Sequence, residues 1–173
     1  MNDRQSTIND RAMLNSIDLQ LPNTISPTDN LLLVIIVNYR TPDLTINCLR
    51  SLTTEIKSVP GMKVTVIDNA SGDDSVAKIQ NAINSHNWQS WVEFIASEYN
   101  GGFSFGNNLA IRPVLQSANP PAYFLLLNPD TEVRPGAIKA LVDFMEEHPQ
   151  VGIAGSSFEQ ADGKPWSFAF RFP

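Results

Sequence analysis

Four short polar segments break an otherwise aliphatic and amphipathic chain: Asn38-Tyr39, Asp68-Asn69, Asn100-Gly101-Gly102 and Asn128-Pro129-Asp130-Thr131-Glu132. Their residue types suit the binding of an anionic, oxygen-rich ligand. Asp130 offers a carboxylate, and a hard cation such as Mg²⁺ or Mn²⁺ prefers oxygen and takes few protein ligands when phosphates supply the rest. One carboxylate plus a diphosphate makes such a site, with Asn128 assisting directly or through water. Asp68 can accept hydrogen bonds from a base or a ribose. Gly101-Gly102 lets backbone approach a ligand closely. Each segment also has a plain structural reading: a turn with a helix cap for Asn128 to Thr131, an Asx turn leading into a helix at Ser71 for Asp68, and a tight turn for the glycines. Neither GxGxxG nor a Walker-type lysine loop is present, which disfavours dehydrogenases and P-loop enzymes.

The four segments gain weight from the elements that precede them. Leu31 to Val37 is a continuous aliphatic run, as expected for a strand covered on both faces. Lys63 to Ile67, Trp91 to Ala96 and Tyr123 to Leu127 read as three more strands. Between them lie helical patterns. Thr41 caps the first, with Pro42 and Asp43 in its first turn and Leu44, Cys48, Leu49, Leu52 and Ile56 on one face. Ser71 caps the second, which carries Val76, Ile79 and Ile83. The third runs from Phe105 to about Leu115 with Leu109 inward, and Pro113 predicts a kink or early end. Pro135 opens a fourth with Ile138, Leu141, Val142 and Met145 inward, closed by His148-Pro149. Val151 to Ala154 reads as a fifth strand, and Gly163 to Pro173 as an extended, aromatic-rich stretch. Alternating strands and helices predict an α/β sandwich with a largely parallel sheet, and ligands of such sheets sit beyond the carboxyl ends of the strands. All four polar segments fall at that edge.

Composition narrows the class. The chain has 173 residues, 42% of them hydrophobic, and a net charge of −6, which argues against a nucleic-acid partner. A nucleotide remains suitable, because backbone amides and a metal neutralise its phosphates. Residues 1–30 are polar and aperiodic and read as a flexible leader with one apolar anchor, Ile17 to Leu21; residues 31–173 form the domain. The single cysteine, Cys48, rules out an internal disulfide and sits on a buried helix face, where packing outweighs nucleophilic use. No run approaches a membrane span and no signal-peptide core is present, so the expectation is a cytoplasmic protein. His86 and His148 are isolated, Trp88 and Trp91 read as packing residues, and Asp73-Asp74 and Glu146-Glu147 as solvated helix positions.

Val37 to Arg40, Val66 to Ser71, Asn100 to Phe103 with Gly106-Asn107-Asn108, and Leu127 to Glu132 together resemble the ordered motifs of family-2 glycosyltransferases, with the rhamnosyltransferase-like bacterial branch the most similar. The resemblance covers the chain from about Leu31 to Pro173. It implies a three-layer α/β/α sandwich of GT-A type and inverting transfer from a nucleoside-diphosphate sugar to an acceptor hydroxyl, in bacterial polysaccharide or cell-wall synthesis. The nucleotide-sugar-binding set it implies is Asn38, Tyr39, Asp68, Asn69, Gly101, Gly102, Phe103, Asn108 and Asn128. Asn38 and Tyr39 would lie near the base, and Asp68 would hold base or ribose. Asn128 stands where the family's Asp-x-Asp motif has its first aspartate, leaving Asp130 as the carboxylate for Mg²⁺ or Mn²⁺. The family's catalytic base lies well after that motif, so it is expected beyond Pro173 with most of the acceptor site; Glu159 and Asp162 are the late carboxylates, and neither is assigned as the base. The implied partners are the sugar donor and a saccharide or lipid-linked saccharide acceptor, with peripheral membrane association and homodimerisation compatible with them. The competing readings are a nucleotide-diphosphate-binding fragment without transferase activity and a nucleotidyltransferase, which would carry a Gly-rich basic loop that Val37 to Asp43 does not provide.

Overall fold

The computed structural model describes residues 31–160 and 163–165. The 1–30 leader with its Ile17 to Leu21 anchor, Asp162 and the aromatic-rich stretch 166–173 lie outside the described residues. Four strands, β1 (Leu32–Asn38), β2 (Met62–Asp68), β3 (Val92–Ala96) and β4 (Tyr123–Leu127), alternate with four helices, α1 (Pro42–Ser58), α2 (Ser75–Ser85), α3 (Phe103–Leu115) and α4 (Ala137–Glu147).

The strands pair in the order β3-β2-β1-β4, all parallel. Alternate side chains of β1 enter opposite layers, as the two-residue strand period requires. Leu32, Val34 and Ile36 pack with Leu49 and Leu52 of α1, Ile79 and Ile83 of α2 and Ile138 of α4. Leu33 and Ile35 join Ile67 and Ala110 of α3 on the other face. The α/β sandwich is therefore three layers thick, with α3 the helix on its second face among the described residues. After β3 the chain crosses back through α3 to β4 on the far side of β1, so strand order reverses between β1 and β4. Ligands of open α/β sheets bind at such a switch point.

Several expectations need correction. Ser71 does not cap α2; Asp74 precedes that helix, because the Ser71 hydroxyl is taken up by the end of β2. Thr41 does precede α1, but without a side-chain cap bond, since its hydroxyl turns to Asn38. Leu44 is 45% exposed, and Thr45 faces inward in its place to bond Asn38. The third helix starts at Phe103 rather than Phe105 and contains Pro113 in its last turn, where the missing N–H costs one bond close to the end. Pro135 lies in the turn before α4, whose start is set by the left-handed Gly136. Val151 to Ala154 is not a strand, and Ile153 is 93% exposed. Two glycines, Gly152 and Gly155, weaken that run, and no neighbouring strand among the described residues offers it a ladder.

The seat of α3 depends on one missing side chain. A Cβ added at Gly106 would stand 2.8 Å from Cγ1 of Val37 in β1. The absence of that carbon lets the helix lie against the strand end. Gly106→Ala is accordingly expected to destabilise the fold by about 1–3 kcal/mol through overpacking, outweighing the gain of ~1 kcal/mol in helix propensity. Urea unfolding at constant m-value measures this, and an unchanged midpoint would refute the close contact.

Candidate active site at the carboxyl edge of the sheet

The ends of β1 and β2 are joined by a buried polar network. Asn38 and Asp68 are register partners and are 0% and 1% exposed. The Asn38 amide donates to Asp68 Oδ1 at 2.7 Å and to Ser71 Oγ at 3.3 Å. Its Oδ1 accepts from the Thr41 N–H (3.2 Å), the Thr41 hydroxyl (3.2 Å) and the Thr45 hydroxyl (3.0 Å). Asp68 also accepts from the Ser71 hydroxyl at 2.6 Å and the Ser71 N–H at 3.0 Å. Arg40 completes the tie by donating from its backbone N–H to Ser71 Oγ and from Nε to the Ser71 carbonyl, both at 2.9 Å. Arg40 and Ala70 have positive φ, 58° and 54°. These hydrogen bonds hold both loops in a conformation that non-glycine residues rarely adopt.

Asp68 thus spends three of its roughly four acceptor positions on the frame. The sequence assigned it to a base or ribose; the structure gives it a framing role first and leaves Oδ2 with room for one further donor. The Asx-turn reading of Asp68 is correct in substance, although the turn leads to a loop and not directly into a helix.

The ladder continues past the strands. Asn69 N–H donates to the Asn38 carbonyl, and Ser97 N–H to the Asp68 carbonyl, both at 2.9 Å. The Asn69 amide then reaches the third loop, donating to Asn100 Oδ1 at 2.9 Å and the Gly102 carbonyl at 3.2 Å. The two glycines there serve different needs. A Cβ on Gly101 would run into the Phe105 ring at 2.3 Å, whereas Gly102 has open space but a φ of +83°. Asn107, which sequence reasoning passed over in favour of the half-buried Asn108, is buried and donates to the Phe103 carbonyl at 2.9 Å. The side-chain oxygens of Asn69 and Asn107 are buried without a hydrogen-bond partner among the described residues. Two acceptors beside one loop suit a ligand that brings N–H or O–H groups. Tyr39, Tyr99 and Phe103 are exposed at this edge and offer apolar faces to it.

On the other side of the reversal, Asn128 to Thr131 forms a turn, with the Thr131 N–H donating to the Asn128 carbonyl at 3.2 Å and the Thr131 hydroxyl bonded to the same oxygen. The turn reading of this segment also holds. Asn128 and Asp130 are exposed, and no hydrogen bond or ion pair engages the Asp130 carboxylate among the described residues. No group of three His, Cys, Asp or Glu among the described residues forms a complete metal cage. A cation here would draw on Asp130, Asn128 and oxygens of its ligand, a donor set suited to a hard ion that keeps much of its coordination outside the protein.

One face of α1 carries this turn. Cys48 Sγ lies 3.8 Å from the Asn128 carbonyl, Ser51 Oγ accepts from the Val133 N–H at 3.0 Å, and Glu55 accepts from the N–H groups of Gly136 (2.6 Å) and Ile138 (2.9 Å). Neither Ser51 nor Glu55 was singled out from the sequence. Their spacing with Cys48 on one helix face was a signal, although Glu55, 1% exposed, reads in sequence as a solvated acid. Burial pushes the Cys48 thiol up to about 12, with the Asp130 charge adding to the rise and a hydrogen bond with Thr131 opposing it. It is a packing residue. Trp88 is buried and Trp91 packs against the same core, as expected. His86 and His148 sit at the ends of α2 and α4, their rings bonded to the carbonyls of Ala82 and Phe144.

The more enclosed concavity, about 240 Å³, is lined by Leu33, Lys63 and Thr65 toward the amino ends of the strands, away from this constellation. A shallower one of about 400 Å³, between Asn47, Arg50, Ser51 and Glu132, flanks the Asp130 turn. Polar chemistry, and not enclosure, makes the carboxyl edge the candidate site.

The sequence profile of glycosyl transferase family 2 matches residues 33–168. The chain belongs to that family. No curated protein sequence matches it closely enough to add to this. Among solved structures, S. aureus TarS 1-349 superposes with a TM-score of 0.53 at 19% identity, covering 69% of this chain and 33% of that one. The same protein in complex with UDP gives 0.52 at 17% identity, covering 75% and 40%. A mannosyltransferase from Pyrobaculum calidifontis in complex with GDP-Man and Mn²⁺ is more distant, at a TM-score of 0.43 and 20% identity over 55% of this chain and 28% of that one. The fold is thus the GT-A type, and the chain spans about a third of the length of the TarS structure it matches. In this family-2 domain the structure brings Asn38, Tyr39, Asp68, Asn69 and the 100–103 loop to one edge, and sets Asn128 and Asp130 beyond the end of β4, next to β1. No helix among the described residues is long and apolar enough to cross a membrane.

Two measurements probe this frame. Asp68→Ala is expected to lower unfolding free energy by about 2–4 kcal/mol, because it orphans buried donors on Asn38 and Ser71; a midpoint shift worth under ~0.5 kcal/mol, the scatter of ordinary surface changes, would contradict it. The ordinary cysteine value is 9.0 and the folded one about 12. Stability from the neutral thiol is full below pH 9 and is lost as pH rises toward 12. At pH 8 the folded chain should hold roughly 1000-fold less thiolate than the unfolded one. Disulfide-reagent labelling of Cys48 should therefore be slow until urea unfolds the protein, and fast native labelling would overturn its assignment as a packed thiol.

Proposed function

We propose that this family-2 domain binds a nucleoside-diphosphate sugar together with Mg²⁺ or Mn²⁺ and transfers the sugar, with inversion, to a hydroxyl of a saccharide or lipid-linked saccharide acceptor. The observation that carries the reading is the exposed carboxylate of Asp130, unpaired among the described residues, beside the strand reversal between β1 and β4 and opposite a pre-formed polar frame. Tyr39 and the 100–103 loop flank the base and ribose. The free acceptors of Asn69 and Asn107 take ribose hydroxyl or base N–H groups. Asp130 and Asn128 would hold the cation, which when bound would supply positive charge against the departing diphosphate. In the transfer the acceptor oxygen bonds to the anomeric carbon, the bond to the diphosphate breaks, and the hydroxyl proton passes to a carboxylate base.

The base is not assigned within the described residues. Glu159, one of the two late carboxylates, is paired with Arg134. Family membership supports glycosyl transfer; the rhamnosyltransferase-like branch, a role in polysaccharide or cell-wall synthesis and a cytoplasmic setting extend it. The alternative, nucleotide binding without transfer, is separated by donor turnover: released or transferred sugar supports the enzyme, and binding without turnover supports the fragment reading.

UDP is the probe of choice, because a structural neighbour of this fold is a UDP complex. Mn²⁺ is expected to tighten UDP binding by about 10-fold or more, equivalent to ~1.4 kcal/mol, and Asp130→Ala to abolish that gain while leaving stability within ~0.5 kcal/mol. Calorimetry decides it; metal enhancement that survives in Asp130→Ala would exclude Asp130 as the ligand.

A further inference from the structure

The Asp130 turn lies in the segment between β4 and α4, which has no regular secondary structure until Ala137. Such a segment has no ladder to fix a carboxylate in space. The first N–H groups of α4 also need acceptors, and Gly136 before it has no side chain to supply one. Both deficits are met from α1. Ser51 Oγ donates to the Cys48 carbonyl at 2.6 Å, which aims its lone pairs at the Val133 N–H, 3.0 Å away. The Glu55 carboxylate takes Gly136 N–H on one oxygen, at 2.6 Å, and Ile138 and Lys139 N–H on the other, at 2.9 and 3.4 Å. A buried carboxylate is costly unless hydrogen bonds and an opposing charge compensate it. Here backbone donors at the positive end of α4 do so. α1 is itself tied to the switch point, since Thr41 and Thr45 at its start bond Asn38. One helix therefore connects the polar frame to the segment that carries Asp130.

We propose that Ser51 and Glu55 are positioning residues that set Asp130 relative to the frame formed by Asn38 and Asp68, so that cation and diphosphate meet at a fixed distance from the nucleotide pocket. Both act through backbone N–H groups of Val133, Gly136, Ile138 and Lys139. The inference rests on Asp130 as the cation ligand, and its mechanical half stands on the hydrogen bonds alone.

The test uses the full chain and three variants, Ser51→Ala, Glu55→Ala and Glu55→Gln, with hydrogen exchange and UDP calorimetry over a Mn²⁺ series. Glu55→Ala is expected to speed amide exchange across 128–139 by about 10-fold or more, while β1 and β2 keep their protection. The Mn²⁺ concentration that half-saturates the UDP enhancement should rise at least ~5-fold, with metal-free UDP affinity within ~2-fold, because only the carboxylate has been displaced. Glu55→Gln retains one carbonyl acceptor and should fall between Glu55→Ala and the unaltered chain. If Glu55→Ala does not fold, Ser51→Ala carries the same comparison. Loosened exchange with an unmoved Mn²⁺ requirement overturns the positioning role, as does unchanged exchange in 128–139. An unaltered chain in which Mn²⁺ has no effect on UDP binding defeats the cation reading of Asp130, and the exchange pattern then decides the brace by itself.

Discussion

A carboxylate buried at the end of a central strand is the constraint on which this domain turns. Asp68 ends β2 at 1% exposure, where an unpaired charge would cost several kcal/mol. No cation among the described residues pairs with it; neutral donors on Asn38 and Ser71 satisfy it instead. That solution has consequences in both directions along the chain. Asn38 must end β1 with its amide turned toward β2, so its oxygen is left to collect Thr41 and Thr45 and to fix the start of α1. Ser71 must fold back, so the helix after β2 begins later, at Ser75. The left-handed backbones of Arg40 and Ala70 follow from the same closure. Charge burial, rather than loop propensity, decides the shape of this edge.

Glu55 repeats the device toward the carboxyl end of α1. Asp68 and Glu55 are the buried carboxylates among the described residues, and there each is held by neutral hydrogen-bond donors rather than by lysine or arginine. The exposed acids divide differently. Asp74 and Asp143 make helix-surface pairs with Lys78 and Lys139, which contribute little. Asp130 makes none. In an acidic chain the buried carboxylates build the scaffold, and Asp130 stands where that scaffold ends.

The parallel alternation was legible because continuous apolar runs of five to seven residues leave little choice of partner or layer, as at Leu31 to Val37 and Tyr123–Leu127. The clustering of Asn38, Asp68, the 100–102 loop and Asp130 followed from that alone, since all strands point one way. What sequence could not show was which polar atoms were already spent. Ser71 has the profile of a helix cap and Asp68 that of a ligand acceptor, and only the distance between β1 and β2 reveals that they satisfy each other. Glu55 illustrates the same limit, because a glutamate late in an amphipathic helix looks solvated until another helix end arrives from 81 residues away. Val151 to Ala154 failed for the converse reason: strand-like composition without a neighbouring edge forms no strand.

The incompleteness of the proposed cation site carries its own logic. A lone exposed carboxylate holds a divalent ion weakly, and a diphosphate without a cation meets an acidic protein surface of net charge −6. Each partner therefore lacks much of its affinity until the other is present. Linkage makes that dependence reciprocal: whatever factor the cation adds to nucleotide affinity, the nucleotide adds to cation affinity. A preformed cage of three carboxylates would forfeit this coupling, since the ion would reside whether or not a donor had arrived. With one carboxylate, charge neutralisation is assembled by the ligand itself, and it is lost when the diphosphate leaves. On this reading the coupling also depends on geometry, because one carboxylate can bridge to a diphosphate only if its distance from the nucleotide frame is held constant. The proposed brace, hydrogen-bonded from Asn38 through α1 to the 128–139 segment, would meet that requirement through neutral backbone donors.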